Sequence, residues 1–375
     1  MEEWKIYKLG EITSKIGSGA TPKGGRDSYL GGNISLIRSQ NVLDFSFSKS
    51  GLAYINEMQA EKLNNVEVYE KDVLLNITGD SVARVCIVPN NVLPARVNQH
   101  VAIIRGNEKV DYRYLLYYLQ YIKPQLLSLS QGGATRNALT KKMIEELEIK
   151  MPSKGTQKEI VSILYTLDTK IALNRRINDN LEQQAQALFK SWFVENASYS
   201  GVSISEYFLP NRGKNLLVSD AKGGITPVVA GGLTPSAFHN VANTKAPVIT
   251  ISASGANAGF VNLWGIPVWA ADSSYIDSTI VSNIYFWYNL LKYNQKNIYE
   301  SQTGSAQPHI YPKHIGNLLI PDLDMRKVEC YESIVTSMYL QINEIQQETK
   351  FLSDLRDTLL PKLMSGELKI NDLNC

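Results

Sequence analysis

The stretch IVSILYTLDTKIALNRRINDNLEQQAQALFKSW, Ile160 to Trp192, decides how this chain must be built. Its positions step alternately by four and three: Ile160, Leu164, Leu167, Ile171, Asn174, Asn178, Leu181, Ala185, Leu188 and Trp192. Such spacing is a coiled-coil seam, so a helix is predicted from Gly155 to Val194 that needs a second helix to cover it. The partner lies in the same chain. Tyr331, Val335, Met338, Ile342, Ile345, Thr349, Leu352, Arg356, Leu359 and Leu363 repeat the pattern. Helices of about 40 residues are about 60 Å long. A strand-rich segment separates them, so they can return side by side and antiparallel with a globular domain at each end. Asn174 and Asn178 have two readings: buried in the seam, where they cost stability and fix register, or turned to solvent.

Working outward, the seam belongs to an internal repeat. At a constant offset of 171, YLLYYLQ (Tyr114 to Gln120) meets YFWYNLL (Tyr285 to Leu291), and SQGGA from Ser130 meets SQTGS from Ser301. Leu147 and Ile149 meet Leu318 and Ile320, and Ile171, Leu181 and Leu188 meet Ile342, Leu352 and Leu359. Upstream the register drifts, and Thr21-Pro22 is matched to Thr226-Pro227, 205 residues on. Each half runs through strands, a short aromatic helix, a Gly/Gln loop and a long helix. DVLLNIT (Asp72 to Thr78) and PVITIS (Pro247 to Ser252) read as buried strands. Tyr112 to Tyr121 and Ile284 to Tyr293 are too densely apolar for one narrow stripe and read as buried helices. The fold class is therefore α+β: two globular domains in a pseudo-two-fold arrangement, separated by two long antiparallel helices packed as a coiled coil.

Composition limits the chemistry. With 375 residues and 44% hydrophobic ones, the chain can build two or three cores. The start MEEWKIYKLG lacks a basic-then-apolar leader and no apolar run approaches a membrane span, so a cytoplasmic, membrane-free protein is expected. Cys86, Cys330 and Cys375 are odd in number and far apart, which fits reduced thiols. Four histidines and no C-x-x-C or H-E-x-x-H argue against a metal site. His309 and His314, five apart across Pro312, are poorly placed to share one helical face. KIGSGATPKGG (Lys15 to Gly25) invites a phosphate-loop reading, but it lacks the Walker spacing, and Pro22 stands where a dinucleotide loop needs its third glycine. The net charge of +2 means that any nucleic-acid-binding surface must be local. Residues 1 to 150 carry 19 Lys/Arg against 16 Asp/Glu, and the last 52 carry 6 against 9. That split favours DNA contact by the domains and protein contact by the helices.

Two-fold symmetry with a fixed separation suits two half-sites on a duplex, and a rod of about 60 Å spans on the order of 15 to 18 base pairs. Because the inserts of the halves differ, the half-sites should differ in sequence.

Several motifs then carry a family resemblance. They are Trp4-Lys5 through Leu9-Gly10-Glu11-Ile12; the Gly19 to Pro22 turn followed by Ile37-Arg38-Ser39-Gln40-Asn41-Val42; and Asp72-Val73-Leu74-Leu75 with Gly79. Gly132-Gly133-Ala134-Thr135-Arg136 leads to Leu147 to Pro152 and Gln157, and the chain closes on Leu359-Leu360-Pro361-Lys362-Leu363-Met364-Ser365-Gly366-Glu367-Leu368. Over essentially its whole length the sequence resembles the specificity (S) subunit of type I restriction-modification enzymes. The resemblance implies target-recognition domains at 1–153 and 198–323, with a central helix at 154–197 and a C-terminal helix at 324–375. It implies that each domain reads half of a bipartite site in double-stranded DNA and that two methyltransferase (M) subunits dock on the helices. Restriction (R) subunits would join for cleavage. S-adenosylmethionine is expected in the M subunit and no cofactor in this chain, which has neither a cofactor glycine loop nor N/D-P-P-Y/F and so no catalytic residues of its own. The second half departs from the pattern, since Val202 to Leu217 lacks a clean counterpart of the W-to-LGE opening.

Arginine suits guanine, and asparagine or glutamine suits adenine, because each offers the matching bidentate pattern. The candidates in the first domain are Arg38, Gln40, Asn41, Arg84, Arg96, Asn98, Gln99, His100 and Arg136, with Lys15, Lys23 and Arg26 for phosphates. In the second they are His239, Asn240, Ser252, Ser254, Asn257, Gln302, Gln307 and His309, with Lys313 for phosphate. The spacer and partner-docking positions are Ile160, Leu164, Leu167, Ile171, Leu181, Leu188, Ile342, Leu352 and Leu359. Capping and turn roles compete for the Asn and Ser members. Two other readings stand beside DNA recognition: a scaffold pairing two ligand-binding domains, and a small-molecule enzyme with its site at a domain interface.

Overall fold

The computed structural model describes residues 4–22, 29, 31–131, 137–195, 197–304 and 307–370. The chain divides into two compact units, residues 1–171 with 351–375 and residues 172–350. Four helices organise them: α1 (Tyr112–Tyr121), α2 (Lys154–Phe193), α3 (Ile284–Tyr293) and α4 (Met325–Ser365). Among the described residues no helix is long and apolar enough to cross a membrane.

The long helices start where the sequence supplies partners for their first amides. The Ser153 hydroxyl accepts from Thr156 N at 3.4 Å, and Asp324 Oδ1 accepts from Arg326 N at 3.0 Å. In the first unit Ile160, Val161 and Leu164 of α2 share a core with Leu360, Leu363 and Met364 of α4. In the second, Asn174 Nδ2 donates to Glu348 Oε2 at 2.7 Å, Tyr331 Oη to the Ala185 carbonyl at 2.9 Å and Lys327 Nζ to the Trp192 carbonyl at 2.5 Å. Positions rise along α2 as they fall along α4, so the pair is antiparallel. Every predicted seam position is buried or half-buried. Toward the end of α2, however, Phe189 and Phe193 are buried more deeply than Leu188 and Trp192. A helix of 3.6 residues per turn drifts against a 3.5 repeat, and the drift turns these rings inward. Asn174 is fully buried, which decides between its two readings, and its Oδ1 has no hydrogen-bond partner; Asn178 is half-buried with an equally unpartnered Oδ1.

The two units build corresponding sheets, the one with the parallel pair having four strands in the first unit and three in the second. The first has a four-stranded sheet ordered Thr13–Ser18, Val101–Gly106, Val73–Asn76, Val85–Ile87, and a second sheet in which Ile34–Ile37 runs parallel to Ala95–Val97. The second unit orders Asn211–Arg212, Ser273–Asp277, Val248–Ser252 and Val261–Trp264 in one sheet, and pairs Thr226–Val229 parallel to Trp269–Ala270 in another. Thr226-Pro227 therefore corresponds to the Ile34–Ile37 strand and not to Thr21-Pro22, which follows a strand of the other sheet. The dipeptide match at offset 205 was coincidental.

The entrance to the second unit does have a counterpart of the first. Leu9–Glu11 and Ile204–Glu206 are both single 3-10 turns. Leu9 N donates to the Leu147 carbonyl at 2.8 Å and Ile204 N to the Leu318 carbonyl at 3.1 Å. Lys8 N donates to Glu11 Oε2 and Ser203 N to Glu206 Oε1, at 2.8 and 2.9 Å. Only the glutamate is common to LGE and ISE, too little to recognise without the backbone.

Candidate nucleic-acid interface

Some of the residues predicted to meet DNA, Arg84 and His100 in the first unit and Ser254 and His309 in the second, lie where the central strand of the unit's larger sheet, Val73–Asn76 or Val248–Ser252, ends. Two turns there correspond bond for bond. In the first unit Ala83 N donates to the Asn76 carbonyl at 2.9 Å, Gly79 N to Asn137 O at 3.1 Å, Leu139 N to Ile77 O at 2.8 Å and Ile77 N to His100 O at 2.9 Å. In the second the same bonds join Gly259 to Ser252 at 2.7 Å, Gly255 to Pro308 at 3.1 Å, Ile310 to Ala253 at 2.9 Å and Ala253 to Asp272 at 3.1 Å. Gly79 (φ +74°) and Gly255 (φ +81°) open these turns in a backbone region that L side chains rarely adopt. Thr78 thus corresponds to Ser254, Arg84 to Phe260 and His100 to Asp272.

In the first unit Thr78 Oγ1 and His100 Nδ1 are 2.5 Å apart, His100 Nε2 lies 3.2 Å from Gln99 Nε2, and Thr21 Oγ1 donates to Gln99 Oε1 at 2.5 Å. This chain of contacts holds the half-buried His100 and exposed Gln99 at one rim. Arg84 is half-buried, and its guanidinium has no hydrogen-bond partner among the described residues. Arg38 Nη2 donates to the Gly51 carbonyl at 2.6 Å while its Nε is buried without a partner; its guanidinium carbon lies 5.5 Å from the Tyr29 ring. Gln40 is exposed and donates to Gly51 O at 3.1 Å, and Lys15 is half-buried on its strand.

In the first unit three sequence candidates are withdrawn from the surface. Arg96 is 6% exposed and its guanidinium is shared among the Ala60 and Ala95 carbonyls, Glu67 Oε1 and Asn64 Oδ1. Asn41 is buried and closes its own loop, donating to Ser48 O at 2.9 Å and Ser50 O at 3.2 Å while accepting from Arg38 N. Asn98 is buried and accepts from His100 N at 3.0 Å. Each stabilises the loop that carries its neighbours. Lys23, Arg26 and Arg136 lie outside the described residues. What is described of KIGSGATPKGG is a strand running into a close crossing: Gly19 N donates to Asn98 O at 3.1 Å, and a side chain at Gly19 would lie 1.8 Å from the Val97 carbonyl oxygen. Up to Pro22, then, the stretch has a structural role in the backbone.

In the second unit the half-buried Ser254 donates to Asp272 Oδ2, and Asn257 Nδ2 donates to Gly231 O at 3.4 Å. Gln302 donates to Ala258 O at 2.7 Å, which fixes it as a turn support. Ser252 is buried, and so is His239, whose Nδ1 accepts from Lys222 N at 3.1 Å and whose ring meets Trp269 edge-on. Asn240, Gln307 and Lys313 are exposed. His309 pairs by backbone bridges with Ser254 and Thr303 and stacks on Tyr311, and the Arg212 guanidinium carbon lies over the same Tyr311 ring, 5.7 Å from its centroid. Sequence reasoning missed Arg212, Tyr311 and Asp272, because only the strand pairing brings them to the turn. His314 Nδ1 accepts from Tyr311 N at 3.3 Å; burial first and Lys313 second hold its pKa below the usual imidazole range. Among the described residues no three His, Cys, Asp or Glu side chains could hold a metal ion.

The family model described as "Type I restriction modification DNA specificity domain" matches residues 1–183. The chain is similar to the MjaIX specificity subunit of a type I restriction enzyme from Methanocaldococcus jannaschii, with 24% identity over 99% of this chain and 95% of that one. It is also similar to the HindI specificity subunit of Haemophilus influenzae, 29% identical over 52% of this chain and 42% of that one. Among solved structures, the fold resembles the type I restriction-modification S subunit from M. genitalium, with a TM-score of 0.58, 18% identity and coverage of 96% of each chain. Residues 1–183 thus match the DNA specificity domain of type I restriction-modification systems, and nearly the whole chain is similar to a specificity subunit of such a system.

Proposed function

We propose that this chain is a DNA specificity subunit and reads an asymmetric bipartite duplex, one half-site with residues 1–153 and the other with 198–323. The helices at 154–197 and 324–375 set the gap and carry the docking surface for two methyltransferase subunits, with restriction subunits joining for cleavage. The chain supplies recognition and its partners supply adenine methylation and strand scission, so no catalytic residue is assigned to it. The similarity of residues 1–183 to a DNA specificity domain favours this reading over a scaffold that never meets DNA.

One observation carries the asymmetry. Backbone bonds of the same pattern hold Arg84, Thr78 and His100 in one half and Phe260, Ser254 and Asp272 in the other. A cation and an imidazole present different donors and acceptors from a phenyl ring and a carboxylate, so two such turns cannot prefer the same base pairs. Arg38, Gln40, Gln99, Arg84 and His100 are the proposed readers in the first half, with Lys15 at phosphates. Ser254, Asn257, His309, Asn240 and Gln307 fill that role in the second, with Lys313 at phosphates. Phosphate contacts place the domains without reading sequence.

Long-read sequencing of adenine methylation, with and without this gene and with the methyltransferase expressed, tests the proposal. The expected result is loss of methylation at one bipartite motif whose halves differ. A palindromic motif, or an unchanged methylome, would refute it.

A further inference from the structure

We propose that Asp272 is a base-reading residue of the second half-site, and that it accepts a hydrogen bond from the exocyclic amino group of a cytosine. This rests on the reading of the chain as a DNA reader and deepens it at one position.

The assignment comes from the correspondence of the two turns. Ile77 N bonds His100 O, and Ala253 N bonds Asp272 O, so Asp272 occupies the place of His100. The side chains repeat the relation: a hydroxyl at the end of the central strand holds each, Thr78 on His100 and Ser254 on Asp272. Two unlike side chains fixed by one hydroxyl at one backbone position vary as a recognition position must, while the surrounding frame stays constant. Asp272 is half-buried, and its Oδ1 makes no hydrogen bond among the described residues. Gly231 packs close against this turn: a side chain there would lie 2.6 Å from Ser254 O and in ordinary contact, 3.6 Å, with Asp272 Oδ2.

Electrostatics narrows the ligand. A carboxylate facing a duplex is repelled by phosphates and gains only from a donor. In the major groove guanine offers two acceptors and thymine an acceptor and a methyl group. Adenine offers its amino donor beside the N7 acceptor, which repels the second carboxylate oxygen. Cytosine offers an amino donor with no acceptor beside it on the same base, and it is the partner that suits a carboxylate.

The test uses the assembled complex with its methyltransferase subunits and duplexes in which each base pair of the second half-site is replaced in turn. Wild-type protein should show one cytosine whose replacement by adenine weakens binding about ten- to a hundredfold. Asp272→Asn keeps an acceptor for Ser254 but pairs with adenine, so discrimination at that position should vanish or reverse while the first half-site and other positions are unchanged. Ser254→Ala, which keeps the carboxylate but frees it, should reduce discrimination at the same position only. The assignment is overturned if the second half-site contains no cytosine on either strand. Discrimination that is intact in both variants, or that falls equally at every position as a structural role would make it, overturns it as well. A wild-type complex that discriminates at no position refutes the DNA-reading proposal itself.

Discussion

The two units join their aromatic helix to the long helices in different ways, although the frame is shared. In the first unit Tyr117 donates to Asp168 Oδ2 at 2.6 Å, Arg356 Nη1 donates to Asp168 Oδ1 at 2.9 Å, and the guanidinium lies 3.8 Å from the Phe45 ring centroid. Shifted by the repeat length of 171, these positions are Tyr288, Tyr339 and, with the helices exchanged, Ala185. There the ion pair is absent. Tyr339 stacks on Tyr285 with centroids 4.8 Å apart, meets Tyr288 edge-on at 5.7 Å and donates to Asn289 Oδ1 at 3.0 Å, while Tyr331 fills the space beside Ala185. One backbone solution thus admits a charged filling and an aromatic one. The spacing of apolar residues specifies the frame, and the filling is free to diverge provided that its polar atoms are paired.

The largest effect should come from breaking the charged filling. Asp168→Ala leaves Arg356, 9% exposed, with only its neighbour Asp357 for a counter-ion, and should destabilise the first unit by about 3 kcal/mol. Tyr339→Phe loses one hydrogen bond and should destabilise the second by about 1 kcal/mol. Urea denaturation reads both. Because much of the first penalty is an unpaired buried charge, Asp168→Ala with Arg356→Met should be more stable than Asp168→Ala alone. A double variant no better than the single would mean that the triad is held by packing.

The turns sharpen the same comparison at the surface. Arg84→Ala should weaken binding of the assembled complex to its cognate site by about 1 to 3 kcal/mol, and Phe260→Ala should leave the salt dependence unchanged. Equal salt slopes for wild type and Arg84→Ala would place Arg84 away from phosphates, and equal affinities would place it away from DNA.

Within the second unit the helix pair carries a polar contact at Asn174, whose Nδ2 donates to Glu348 Oε2. Asn174 is fully buried with a lone unpartnered Oδ1, so Asn174→Leu should raise stability by about 1 kcal/mol. The same change should loosen register, read as methylation spreading to sites with altered gap length. Greater stability with an unchanged gap would show that register is set elsewhere.

Much of this frame is legible in the sequence. The four-three stepping of Ile160 to Trp192 predicts the long helix, because covering a seam is a local demand repeated every turn. The candidate interface is less legible, for reasons that particular residues show. Arg96 looks like a guanine reader until strand pairing sets it against Glu67 and Asn64, some thirty residues away. Asp272 looks like the wrong charge for DNA until Ser254 is found beside it. Thr226-Pro227 resembles Thr21-Pro22 as a dipeptide, but the hydrogen-bonded neighbours of the two differ. Burial and pairing are long-range properties, and a short motif carries neither.

The smallest prediction concerns how each aromatic helix is started. In the first unit α1 is capped by its own Asp111, whose Oδ1 accepts from Arg113 N at 2.8 Å and Tyr114 N at 3.3 Å. In the second, Asn283 precedes α3 with φ +58° and makes no side-chain cap; Glu332 of α4 instead accepts from Tyr285 N at 3.2 Å and Phe286 N at 2.7 Å. Val161 stands at the equivalent place in the first unit. Burial, only partly offset by those two amides, raises the Glu332 pKa above the usual glutamate value. A folded pKa above the unfolded one means that the native state binds more protons between the two values, so stability falls as pH rises through the folded pKa and is recovered on the acid side. Glu332→Gln removes this titration. Urea denaturation at pH 7 and pH 5 should show wild type gaining on Glu332→Gln at the lower pH. A difference that is constant, or that moves against wild type, would mean that the amides of α3 outweigh burial and that the carboxylate is the better cap.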